Sequence, residues 1–173
     1  MHRSLLSSQS TEWFTPPWVI EHARLLIGGA LFDLDPASNC HAQAYIQAKE
    51  WYGLDHPLPD HRDGLRVPWY GNVWLNPPYG REISRWIQKA VDEYRAGRAT
   101  RIVCLVPARL DTRWFRLLHT TMRGMYVYRS RLVFLSPTGT TSTAPFPSVL
   151  VVVGDCELLP LPNTDRYVPF NSC

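Results

Sequence analysis

Asn72-Val73-Trp74-Leu75-Asn76-Pro77-Pro78-Tyr79-Gly80 is a short apolar run that stops abruptly in a polar turn. Two consecutive prolines fix φ near −65° and carry no amide donor, so a strand over Asn72–Leu75 must end there and the turn after it is stiff. From Glu82 the apolar positions 83, 86, 87, 90, 91 and 94 repeat with helical period, and Gly97 is placed to end that helix. The next apolar run, Ile102 to Val106, has strand length and no polar alternation, as expected of a parallel strand covered on both faces. Strand, turn, helix and strand together predict a βαβ unit.

Working outward, Leu31-Phe32-Asp33-Leu34 reads as a buried strand running into Asp35-Pro36. Before it, residues 17–27 carry apolar side chains at 19, 20, 23, 26 and 27, one helical face, with Pro16-Pro17 at the first turn and Gly28-Gly29 as the stop. Residues 37–68 are broken by prolines and glycines, with room for a short helix in 42–51. On the other side, Asp111 is the expected N-cap of a helix through Met122. Strands are predicted over 125–128, 132–135 and 149–153, around a Thr/Ser/Pro/Gly-rich loop at 136–147 that is expected to be weakly ordered. The alternation predicts an α/β fold with a mostly parallel sheet and helices on both faces. Ligands of such sheets bind beyond the carboxyl ends of the strands, which puts Asp35-Pro36 and Asn76-Pro77-Pro78-Tyr79 on one rim.

With 173 residues and 45% apolar content, the chain is expected to form a single domain over 1–173, with a polar leader at 1–10 and a Pro-rich tail at 158–173. The longest apolar stretch, Val149–Val153, falls far short of the roughly 20 residues that span a bilayer, and no secretory signal is legible. A cytoplasmic protein, with no membrane partner, is expected. Cys40, Cys104, Cys156 and Cys173 form no CxxC pair, which speaks against a disulfide scaffold and structural zinc. The six histidines are read as lacking ligand spacing, so no metal and no general-base dyad is expected. A net charge of +3 permits a polyanionic partner without announcing one.

The Asn-Pro-Pro-Tyr turn can do specific chemistry. An exocyclic aromatic amine is a poor nucleophile because its lone pair is delocalised. Acceptors on its two hydrogens, the Asn76 side-chain oxygen and the Pro77 carbonyl, would localise that pair, and preorganised dipoles of this kind act on charge developing in the transition state. Pro78 stiffens the edge, and Tyr79 offers a stacking face. The same string also serves as an ordinary Pro-rich turn elsewhere, so its context matters.

That context resembles a known family. The turn is similar to motif IV of amino-methyltransferases, and Glu12 to about Val153 resembles the phage-type DNA N-6-adenine methyltransferase (phage Dam-like) family. The likeness rests on Trp13-Phe14-Thr15-Pro16, Phe32 to Ala37, Asp63-Gly64-Leu65 with Trp69, Asn76 to Gly80, the Trp86-centred helix, Val106 to Arg109 with Asp111-Thr112 and Trp114-Phe115, and Arg131 to Phe134. It implies a Rossmann-like S-adenosylmethionine-dependent methyltransferase fold and direct in-line transfer to N6 of an adenine flipped out of duplex DNA. Asn76, Pro77, Pro78 and Tyr79 would be catalytic. Thr15-Pro16 would touch the methionine end of S-adenosylmethionine, Asp35-Pro36-Ala37 its ammonium, Asp63 its adenine, and Asn76 would sit between cofactor and substrate. Tyr79 would stack on the flipped base, with Phe134 or Phe146 closing the other side. Arg109, Arg113, Arg116 and Arg131 would face phosphate, or else line solvated helix faces.

Two departures stand out. Ala37-Ser38-Asn39-Cys40 replaces a GxGxxG loop, although a sulfonium cofactor has no pyrophosphate for such glycines to cradle. The acid that grips the ribose is not obvious, Glu50 and Asp55 being the candidates. Cytosine C5 chemistry is disfavoured because none of the cysteines follows a proline. Transfer to RNA adenine or protein glutamine, or a catalytically weak nucleic-acid-binding module, are the alternatives. Target sequence and oligomeric state are not legible.

Overall fold

The computed structural model describes residues 14–136 and 139–168. Its element order is α1 (Pro17–Leu25), β1 (Leu34–Asp35), α2 (Gln43–Ile46), β2 (Glu50–Trp51), a 3-10 turn at Pro59–His61, β3 (Gly71–Leu75), α3 (Ile83–Arg95), β4 (Ala99–Pro107), α4 (Arg113–His119), β5 (Met122–Tyr128), β6 (Val133–Leu135), β7 (Thr141–Thr143), β8 (Ser148–Val153) and β9 (Thr164–Tyr167). Seven strands form one sheet in the order β2-β1-β3-β4-β8-β5-β9, and β6-β7 make a separate hairpin. Strands β2, β1, β3 and β4 run parallel, β8 runs against β4, β5 runs against β8 and so with the first four, and β9 runs against β5. Five of the seven strands therefore point one way.

Burial explains why the sheet takes helices on both faces. Alternate residues of the central strands point to opposite sides. Trp74, Val103, Leu105, Leu150 and Val152 meet Val19, Ile20 and Ala23 of α1 on one face. Val73, Leu75, Ile102, Cys104, Val106, Val149, Val151 and Val153 meet α3 and α4 on the other. Helix α3 supplies Ile83, Trp86, Ile87, Ala90 and Val91, the i, i+3, i+4, i+7 and i+8 stripe of a core-facing helix.

Several sequence expectations shift in detail. The first strand is Leu34–Asp35 rather than residues 31–34, although Phe32 is fully buried and Asp33 bonds across to Asn72. The segment expected as one helix over 42–51 divides into α2 and the edge strand β2. Helix α4 is capped by Thr112, whose hydroxyl accepts from the Phe115 N–H, and it stops at His119 because Met122 already pairs with Val153 in the sheet. Strand β8 joins the sheet antiparallel, and the Pro-rich tail contains β9. The leader at 1–10 lies outside the described residues.

Topology positions the site. The chain leaves β1 for β2 on one side, then returns to β1's other side with β3 and continues to β4. This reversal makes a crevice beyond the carboxyl ends of β1 and β3. Leu34 pairs with Val73, which brings Asp35 and Asn76 to adjacent strand ends.

Candidate active site

A cavity of about 650 Å³ opens at that crevice, a size within the range of small-molecule sites. Asp35, Ala37, Ser38 and Asn39 line it from the β1 side, Ala42 and Ile46 from α2, and Trp74, Asn76, Pro77, Pro78 and Tyr79 from β3 and its turn. Phe14 and Thr15 enter from the N-terminal segment, and Phe134 with Ser142 to Pro145 from the β6-β7 hairpin.

The N-terminal segment reaches the cavity because Phe14 forms an antiparallel bridge with Leu135, with backbone bonds of 2.6 and 3.1 Å. Thr15 then meets the turn: the Asn76 amide Nδ2 donates to Thr15 Oγ1 at 3.0 Å. With its nitrogen engaged, Asn76 leaves Oδ1 as the available acceptor, and no protein donor meets that oxygen among the described residues. Tyr79 divides along its length. Its side chain is 42% exposed, while its hydroxyl is tucked toward the Leu105 carbonyl at 3.5 Å, and burial of that end pushes the phenol well above its ordinary pKa. An open ring with a shielded hydroxyl offers a face on which a planar group could stack.

Asp35 is 1% exposed. Burial pushes its carboxyl up to about 7, and hydrogen bonds from Ser38, Ala37 and Gln43 pull it only part of the way back. Gln43 Nε2 reaches Asp35 Oδ2 at 2.9 Å and Ser38 Oγ at 2.7 Å, while its Oε1 accepts from the Ala48 N–H, so the amide is held at both ends. A buried carboxyl with no cationic partner among the described residues is one that a cation-bearing ligand would ionise and pair with. Trp74 adds a buried indole Nε1 that has no hydrogen-bond partner among the described residues.

The remaining sequence candidates fall at or outside the rim. Pro16 and Pro36 flank lining residues without lining the cavity. Asp63 is exposed, pairs with Arg66 at 3.4 Å and accepts from the Leu65 N–H. Its neighbour Gly64 packs so closely on the β1 end that a Cβ there would stand 1.9 Å from the Pro36 carbonyl oxygen. Arg109 lies with its guanidinium 4.2 Å from the centroid of the half-exposed Phe146 ring, beside the hairpin rather than in the cavity. Arg131 is exposed. Neither acid considered for the ribose lines the cavity: Asp55 accepts from the Cys40 N–H, and Glu50 faces two histidines. Sequence reasoning missed Ser38, Asn39, Gln43 and the Ser142–Pro145 edge. Ser38 and Asn39 stand where the glycine loop was sought, which was the available signal; the Ser142–Pro145 edge lay inside the 136–147 stretch, where nothing pointed to the cavity.

These features coincide with a family pattern. The family described as DNA N-6-adenine-methyltransferase (Dam) matches residues 3–157. The chain belongs to this family. Its membership implies adenine methylation in DNA, with DNA as substrate. No curated protein matches the chain significantly. In this Dam-family chain the Asn-Pro-Pro-Tyr turn, Thr15 and Asp35 share one cavity, and no helix among the described residues is long and apolar enough to cross a membrane.

Proposed function

We propose that the chain transfers a methyl group from S-adenosylmethionine directly to N6 of adenine in DNA, on a Rossmann-like methyltransferase fold. One observation carries this reading: a single cavity joins a buried, cation-seeking carboxylate, Asp35, to a rigid acceptor turn headed by Asn76. The residues present suit the cofactor. Asp35 would hold its positive charge, Trp74 Nε1 would donate to one of its acceptors, and Thr15, Ala37, Ser38 and Asn39 would contact the rest. S-adenosylmethionine supplies, when bound, a methyl carbon on a sulfonium.

The chain's own residues do the remaining work. Asn76 Oδ1 holds one N6 hydrogen and the Pro77 carbonyl the other, which concentrates the lone pair on nitrogen. Pro78 stiffens the turn, and Thr15 keeps the Asn76 oxygen facing the amine by occupying its nitrogen. The Tyr79 ring stacks on an adenine flipped from the duplex, and Phe134 with the hairpin edge excludes water. Arg109, Arg131 and Phe146 would meet DNA outside the cavity. Incubation with radiolabelled S-adenosylmethionine and, in parallel, unmethylated DNA, RNA and protein tests the reading. Label is expected at N6 of adenine in DNA, and label in protein alone would sink it.

A further inference from the structure

The loop after β2 holds a cluster that the methyl-transfer chemistry does not use. Glu50, His56 and His61 bring one ligand atom each to within 4.8 Å of one another. Glu50 Oε1 stands 3.3 Å from His56 Nε2 and 3.7 Å from His61 Nδ1. With metal–donor bonds of about 2.0–2.1 Å, two donors on a zinc tetrahedron are about 3.3 Å apart, close to both Glu50–histidine distances, and the imidazole nitrogens, within 4.8 Å of one another, need only a small approach to complete one face. His56 and His61 are separated by four residues, a spacing that suits zinc although the histidines were read in sequence as lacking one.

Hydrogen bonding alone leaves this cluster incomplete. His61 Nδ1 is buried and has no hydrogen-bond partner among the described residues, since 3.7 Å to Glu50 is too long for one. Buried polar atoms ordinarily have partners. His56 is 6% exposed, and its Nδ1 sits 3.1 Å from the Leu58 N–H and 3.4 Å from the Leu58 carbonyl. The loop can therefore serve either tautomer. With Nδ1–H donating to the carbonyl, the Nε2 lone pair is released toward Glu50 and an ion, the outer-shell arrangement that orients metal-bound imidazoles.

We infer that Glu50, His56 and His61 form a divalent transition-metal site of zinc type, with solvent in the fourth position, that clips the 53–61 loop to β2. The ion's role is structural and independent of the methyl-transfer reading. The loop it closes is pinned at its neck by the Gly53 N–H on the His61 carbonyl at 3.0 Å. That neck backs the cavity wall: Ser38 N donates to the Tyr52 carbonyl, and a Cβ at Gly53 would stand 2.0 Å from the Ser38 carbonyl oxygen. Anchoring the loop thus steadies Ser38 and Asn39.

The test uses the full chain, stripped with a chelator and titrated with zinc by calorimetry and with cobalt(II) by visible absorption. One ion per chain, a tetrahedral cobalt spectrum and a higher melting temperature with zinc are expected. His61→Ala and Glu50→Gln should each weaken zinc binding by about 100-fold or more, since loss of an outer-shell partner alone costs 10- to 100-fold, while Cys40→Ser should bind as the parent does. Absence of zinc uptake, parental affinity in His61→Ala, or loss of binding in Cys40→Ser would each overturn the inference. Should His61→Ala fail to fold, Glu50→Gln decides alone, and parental affinity there has the same force.

Discussion

Asn76 and Tyr79 share one turn but meet different surroundings, and their substitutions should fail differently. Asn76→Ala removes a preorganised acceptor, so kcat should fall by about 10²–10³ while cofactor affinity is nearly kept. Thr15→Val leaves Asn76 in place without its tether, and a smaller loss in kcat with little change in KM is expected. Tyr79→Phe keeps the ring and should retain most activity; Tyr79→Ala should lose about 1–3 kcal/mol in base capture, read as DNA affinity. Asp35 contributes a pH signature. Its folded pKa, about 7, lies above its unfolded value, so its contribution to stability is complete below about pH 4 and is lost as pH rises through 7. Binding of a cation favours the ionised carboxyl, so affinity for S-adenosylmethionine should rise from about pH 6 through 7 and level off above about 8. Asp35→Asn should flatten both profiles, as calorimetry and thermal melts across pH would show. An unchanged pH dependence in that variant would move the cation site elsewhere.

Among the elements, α4 and the β6-β7 hairpin respond most clearly to local chemistry. Asp111 and Thr112 are both good N-cap residues, and only the backbone register selects Thr112, with ψ at 153° and its hydroxyl accepting from the Phe115 N–H. Thr112→Ala should therefore cost about 1 kcal/mol in denaturant melts, whereas Asp111→Ala should cost clearly less. The hairpin is held near its connecting loop by Phe14 on Leu135 and closed at its other end by the Ala144 N–H on the Leu132 carbonyl, while β7 itself is exposed. Amide exchange should accordingly be slow at Leu135 and Ala144 and fast over 141–143 in the free protein, slowing over 141–143 when DNA is bound. Slow exchange throughout the free hairpin would count against a DNA-responsive edge.

Across the whole molecule, β8 ties the two halves of the sheet together. All six of its residues are buried, and it pairs with both β4 and β5. Leu150→Ala should lower global stability by about 2–5 kcal/mol, measurable by denaturant unfolding. Gly64 is the other point where distant segments meet. Gly64→Ala must push the Asp63 loop away from the Pro36 carbonyl, with an expected loss of about 1–3 kcal/mol and weaker cofactor binding.

What the sequence alone determined was local or periodic. Pro77-Pro78 had to end a strand whatever surrounded it, and the 83-86-87-90-91 stripe had to bury one face of a helix, because backbone restriction and side-chain period act over a few residues. The strands at 73–75, 102–106 and 149–153, and the placing of Asp35 and Asn76 on one rim, followed from those signals. Tertiary structure alone decided the rest. An apolar run covered on both faces reads the same in either direction, so the antiparallel course of β8 was set by its pairing with β4. Strand β9 is polar and mostly exposed, and exists through its bonds to β5. The tether from Thr15 to Asn76 joins residues 61 apart, and the desolvation of Asp35 depends on the packing around it. Glu50, His56 and His61 became a cluster only when the loop closed on β2. Contacts of that kind depend on chain closure, which no short window of sequence records.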